Sequence, residues 1–70
     1  MDLQFLQQIT IELRKYLNDP QWLNFIGLGE ENGSPCIYVY TNRSRIPIST
    51  IPEIWYDMPV KVQNIGKVRP

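Results

Sequence analysis

The chain has no histidine and a single cysteine, Cys36, among its seventy residues. Without imidazole it lacks the one side chain that titrates near neutrality unaided, which removes the commonest general base and the commonest metal ligand. One cysteine closes no internal disulfide, and a Cys/His zinc site cannot be assembled. No apolar run approaches the roughly 18 residues of a membrane span, and Met1-Asp2-Leu3-Gln4 places no basic segment ahead of an apolar one. These absences point away from secretion and from the membrane, and toward a reducing cytoplasm. No metal or cofactor is expected.

Seventy residues suffice for one small α+β domain over 1–70. A chain of this size buries only roughly 60% of its unfolded surface, so its core is marginal without a supplement. With disulfide and metal excluded, self-association or a larger assembly is the expected supplement. The hydrophobic fraction of 43% excludes general disorder. Formal charge is zero, but residues 1–42 carry two cations against five acids and residues 43–70 the reverse. A fold that kept such groups apart would be a dipole able to orient a partner.

Phe5, Leu6, Ile9, Leu13, Tyr16 and Leu17 recur at helical spacing, with Leu3 on the border of the stripe and Gln4, Gln7, Gln8, Arg14 and Lys15 opposite. The spacing predicts an amphipathic helix over 2–18, capped by Asp2 and closed by Asn18-Asp19-Pro20. Only Ile11 falls outside the stripe and should be exposed.

Trp22 to Gly29 and Cys36 to Asn42 read as strands joined through Asn32-Gly33, since both residues accept positive φ in a two-residue turn. That turn fixes a register: Leu28 faces Ile37, Gly27 faces Tyr38, Ile26 faces Val39 and Phe25 faces Tyr40. Ile26, Leu28, Ile37 and Val39 then form the apolar floor for the helix. Phe25, Tyr38 and Tyr40 share the other face, with Tyr38 covering the bare backbone of Gly27 and Gly29 permitting a bulge.

Residues 43–57 form a proline-punctuated connection. Thr50-Ile51-Pro52-Glu53 has the capping-box form and predicts a helical turn over Ile51 to Trp55. A third strand runs from Met58 to Val62 or on to Ile65, with Val60 and Val62 inward and Pro59 at its start or on a sheet edge. The order is α-β-β-short α-β, one helix across a three-stranded, mainly antiparallel sheet. Its core is Phe5, Leu6, Ile9, Leu13, Leu17, Ile26, Leu28, Ile37, Val39, Val60 and Val62.

Few residues offer chemistry. Gly27-Leu28-Gly29 sits within a strand rather than at a strand-to-helix turn, so it is not a phosphate loop. Cys36 and the hydroxyls of Ser34, Ser44 and Ser49 have no imidazole to activate them. A lysine- or carboxylate-based hydrolase would have to rely on Lys61 or Glu53. Glu30-Glu31 offers oxygen ligands for a hard cation, although two charges beside a hairpin turn more often keep it soluble. No catalytic residue is assigned.

Arg43, Arg45 and Lys61, with Lys67 and Arg69, are the candidate basic patch for nucleic acid. A neutral chain with a pI near 6.1 lacks the positive field such domains use. The candidate protein interface is aromatic: Phe25, Tyr38 and Tyr40 on the uncovered sheet face, with Trp55 and Tyr56 from the connection. Alternatively, Ile46, Ile48, Ile51, Ile54 and Trp55 fold back and cover that face. A free sheet edge that accepts an added strand competes with it. A protein partner or a homodimer is therefore expected ahead of nucleic acid.

The runs Ile26-Gly27-Leu28-Gly29, Asn32-Gly33-Ser34-Pro35-Cys36-Ile37-Tyr38-Val39-Tyr40 and Ile51-Pro52-Glu53-Ile54-Trp55-Tyr56-Asp57-Met58-Pro59-Val60-Lys61-Val62 also carry a resemblance. Residues 20–68 resemble the small α+β segment that precedes the peptidase domain in some bacterial trypsin-like proteins. Those proteins show Gly-hydrophobic-Gly, a charged stretch, Gly-x-Pro, an apolar strand, then Gly-Val-Pro-Val before a closing glycine. Asp57 stands where they carry glycine, and aspartate tolerates the positive φ such a turn needs. The peptidase triad has no counterpart here. The resemblance therefore implies a free-standing accessory domain, with no protease activity carried over.

Overall fold

A computed structural model describes residues 3–67. Helix α1 spans Leu3–Tyr16 and ends with Arg14 and Lys15 in its last turn, where cations oppose the negative end of the helix dipole. Asn18 takes φ 68°, the Asn18 N–H reaches the Lys15 carbonyl and the Asp19 N–H reaches that of Arg14. These are the two bonds of a Schellman motif, made with asparagine in the place glycine usually holds. The Asp2 cap and Arg69 lie outside the described residues.

Strands β1 (Leu23–Glu31) and β2 (Ser34–Thr41) pair antiparallel through Asn32-Gly33, whose φ values are 54° and 81°. The register is the expected one at Leu28–Ile37, Gly27–Tyr38, Ile26–Val39 and Phe25–Tyr40. The bulge lies between Leu23 and Phe25, not at Gly29. Asn24 is the extra residue, and it lets Leu23 turn into the core beside Thr41 while Phe25 faces the opposite side. The Asn24 side-chain amide donates to the Gly66 carbonyl at 2.8 Å, and the Asn24 backbone carbonyl accepts from the Arg14 guanidinium at 3.1 Å.

Beyond β2 the sheet departs from the sequence reading. It has four strands in the order β1-β2-β4-β3 and is mixed. Strand β4 (Met58–Asn64) runs parallel to β2, Ile37 beside Val60 and Val39 beside Val62. The expected helical turn over Ile51 to Trp55 is absent. A 3-10 turn forms earlier, over Ile48–Thr50, and Ile51 is extended at φ −93°, ψ 123°. Pro52 explains the shift, because the residue before proline is driven out of the helical region. The Thr50 hydroxyl donates back to the Pro47 carbonyl at 2.6 Å, so it caps nothing ahead of it. Ile54–Trp55 instead form β3, hairpinned to Met58 and Pro59 through Tyr56 and Asp57 at φ 52° and 61°. This places Pro59 in an interior strand, and pairing with β2 begins only at Val60, past the missing N–H.

The helix reaches mainly β1, and Ile46, Ile51 and Trp55 of the connection pack on the same cluster. Ile9, Leu13, Leu17, Leu23, Ile37, Val39, Ile51 and Met58 form the buried cluster, flanked by Leu6, Trp22, Ile26, Ile46, Trp55 and Val60. Phe5, Leu28 and Val62, expected in the core, are exposed. Phe5 packs sideways on Tyr56, Leu28 lies out on the edge strand toward the hairpin, and Val62 lines a surface groove with Ile48. Ile11 is exposed, as its place off the stripe requires.

Candidate functional site

Strand alternation decides which side chains leave the core. Ile37, Val39 and Thr41 point toward the helix, so Tyr38 and Tyr40 point away from it. Phe25 joins them across β1, its ring 4.6 Å from that of Tyr40, and Tyr40 lies 5.9 Å from Tyr38 in a stacked pair. Phe25 is 45% exposed and the two tyrosines are half-buried.

The two glycines of β1 are the seats of this ladder. A Cβ on Gly27 would come within 3.2 Å of the Tyr40 ring, and one on Gly29 within 2.6 Å of the Tyr38 ring. Tyr38 thus covers Gly29, not Gly27, and each ring leans diagonally by two residues from its register partner. Cys36 is fully buried on the same side of β2 as Tyr38. The Cys36 thiol holds the Tyr38 phenol above its ordinary pKa, and Glu31 adds to the effect more weakly.

The connection does not cover the ladder. Ile46, Ile51 and Trp55 pack on the helix-side cluster. Trp55 and Tyr56, grouped with the ladder by sequence, form a second aromatic cluster on the other side. Trp55 donates its indole N–H to the Ile9 carbonyl at 3.3 Å and lies 5.2 Å from Tyr16. Tyr56 meets Phe5 edge to face at 6.0 Å and donates its hydroxyl to the Glu12 carboxylate. That bond lowers the pKa of Glu12, with Gln8 contributing, and raises that of Tyr56.

Lys61 does not stand with Arg43 and Arg45. Lys61 stands beside Tyr38 in the register, on the ladder face, and its ammonium lies 3.0 Å from the Glu31 carboxylate. That contact raises the Lys61 pKa, and both groups stay partly exposed to solvent. Arg43 and Arg45 lie on the connection beyond the far end of β2, and the Arg43 guanidinium donates to the Asn42 side chain at 2.9 Å. Among the described residues no group of three or more Cys, Asp or Glu could hold a metal ion, and Glu31 is engaged with Lys61. No helix of the described residues is long and apolar enough to cross a membrane.

The sequence reading missed Leu23, Thr41, Ile51 and Met58 as buried residues. Their only signal was apolar or β-branched character, and the bulge and β3 that bury them had none. Comparison of the chain with protein-family models, curated proteins and solved structures finds no match.

Proposed function

We propose that the chain is a non-catalytic interaction module that engages a protein partner through Phe25, Tyr38 and Tyr40. The observation that carries this reading is the stacked ladder, seated on Gly27 and Gly29 and left uncovered by helix and connection. Aromatic rings already fixed in place lose little conformational freedom on binding, which is what makes such residues effective anchors.

Catalysis finds little support. A lysine nucleophile needs a lowered pKa, whereas Glu31 raises that of Lys61. Glu53 is exposed beside a shallow groove lined by Ile48, Ile51 and Val60. The nucleic-acid reading through Arg43, Arg45 and Lys61 is weakened by the pairing of Lys61 with Glu31. The lone cysteine, buried rather than paired, agrees with a cytoplasmic setting.

The test is a photo-crosslinking residue placed at Gln63, which lies beside Tyr40 on the ladder face, with Gln7 on the helix as control. In the source cells, position 63 should give a discrete protein adduct that Phe25→Ala/Tyr38→Ala abolishes. No adduct at 63, or equal adducts at both positions, overturns the reading.

A further inference from the structure

The fold sorts charge along the strands, which the sequence order alone does not show. At the end where α1, β2 and β4 terminate lie Arg43 and Lys67, next to the ends of β2 and β4, and Arg14 and Lys15 on the helix side, with Asp19 beside Arg14. The bonds of Asn24 to Arg14 and Gly66, and of the Ile65 N–H to the Thr41 carbonyl, bring these segments to one end. Asp19 is bound there by Arg14 at 3.3 Å. Toward the other end, the β1–β2 hairpin carries Glu30 and Glu31, while Glu53 and Asp57 flank β3. Lys61 is the cation on that side and is held by Glu31. The ladder lies between the two ends.

Building on the aromatic-face reading, we infer that the occupant of this face is a second copy of the same chain, stacked about a two-fold axis running across the strands. Such an axis lays each ladder on its own counterpart with the strands antiparallel. The Glu30–Glu31 rim of each copy then lies over the Arg43–Lys67 rim of the other, twice per dimer. A parallel stacking would set like charges together and is disfavoured by the same dipole. The face fits within Cα extents of 31 × 26 × 23 Å, so each copy can contribute at most about the 800 Å² of a standard interface.

Sedimentation equilibrium of the full chain, from low to high micromolar concentration, reads the association. Two variants, Glu30→Lys/Glu31→Lys and Arg43→Glu/Lys67→Glu, alter exposed side chains, and circular dichroism confirms their fold. Each alone should dimerise at least about tenfold more weakly than the parent chain at low salt, and their equimolar mixture should recover the dimer. In the mixture both rims are complementary again, which no loss-of-fold explanation reproduces. A parent chain that stays monomeric, variants that self-associate like the parent, or a mixture that fails to recover overturns the second copy as occupant. An adduct at Gln63 larger than two chains, beside a monomeric parent, would leave the aromatic-face reading standing and this inference rejected. A dimer indifferent to Phe25→Ala/Tyr38→Ala would reject the second copy as occupant of this face, and an adduct at Gln63 equally indifferent to them would reject both.

Discussion

The ring of Tyr38 lies over the bare backbone of Gly29, so close that a Cβ there would come within 2.6 Å of it. Gly33, in the same hairpin, has open space around it but sits at φ 81°. The two glycines should therefore fail in different ways. Gly33→Ala should cost about 1–2 kcal/mol through backbone strain and leave the aromatic signals unchanged. Gly29→Ala should push Tyr38 off its seat, and its stability should change by less than about 1 kcal/mol because alanine offsets part of the loss in a strand. Denaturation with near-ultraviolet circular dichroism separates the two. An unaltered Tyr38 environment in Gly29→Ala would refute the seating.

Phe5 and Leu13 belong to one apolar stripe in the sequence and to different environments in the fold. Leu13 is fully buried, whereas Phe5 is 45% exposed against Tyr56. Leu13→Ala should cost about 2–5 kcal/mol, enough to unfold much of a domain this small. Phe5→Ala should cost less than half as much, by urea denaturation.

What was legible in the chain was local. The helical stripe and the Asn32-Gly33 turn set α1 and the β1–β2 register as far as Phe25–Tyr40, because side-chain period and turn length leave little choice. The bulge at Asn24, the parallel pairing of β2 with β4 and the strand β3 carry no comparable mark. The pairing depends on where a sixteen-residue connection, 42–57, delivers the chain. The resemblance allowed the positive φ that Asp57 takes, 61°, but nothing marked Tyr56 at φ 52° or the two-residue strand β3 before it. For the site, Phe25, Tyr38 and Tyr40 were placed together correctly because they sit within the hairpin. Trp55 and Tyr56 were grouped with them only because their own strand was invisible.

The Tyr56–Glu12 bond ties the β3–β4 turn to α1 and gives a pH dependence of defined sign. Glu12 has its pKa lowered on folding, so its contribution is present above the ordinary carboxylate range and lost as pH falls through the folded value. Tyr56 has its pKa raised, so its contribution is present below the ordinary phenol range and lost as pH rises through the folded value. Tyr56→Phe should flatten both limbs of the stability profile. Spectrophotometric titration of the parent chain should show a phenol ionising late that the variant lacks.

The β3–β4 turn holds two side-chain-bearing residues in the left-handed region, and they should respond oppositely to glycine. Asp57 is exposed at φ 61°, so Asp57→Gly removes a strained Cβ and little else. It should stabilise the chain by up to about 1 kcal/mol, or about 4–8 °C in melting temperature for a domain of this length. Tyr56→Gly relieves the same kind of strain at φ 52° but deletes the ring against Phe5 and Trp55 and the bond to Glu12. It should lower the melting temperature. The pair of measurements is decisive because the backbone change is common to both. If Tyr56→Gly stabilised as much as Asp57→Gly, the contacts of Tyr56 with the helix would count for nothing, and β3 would owe its place to the turn alone.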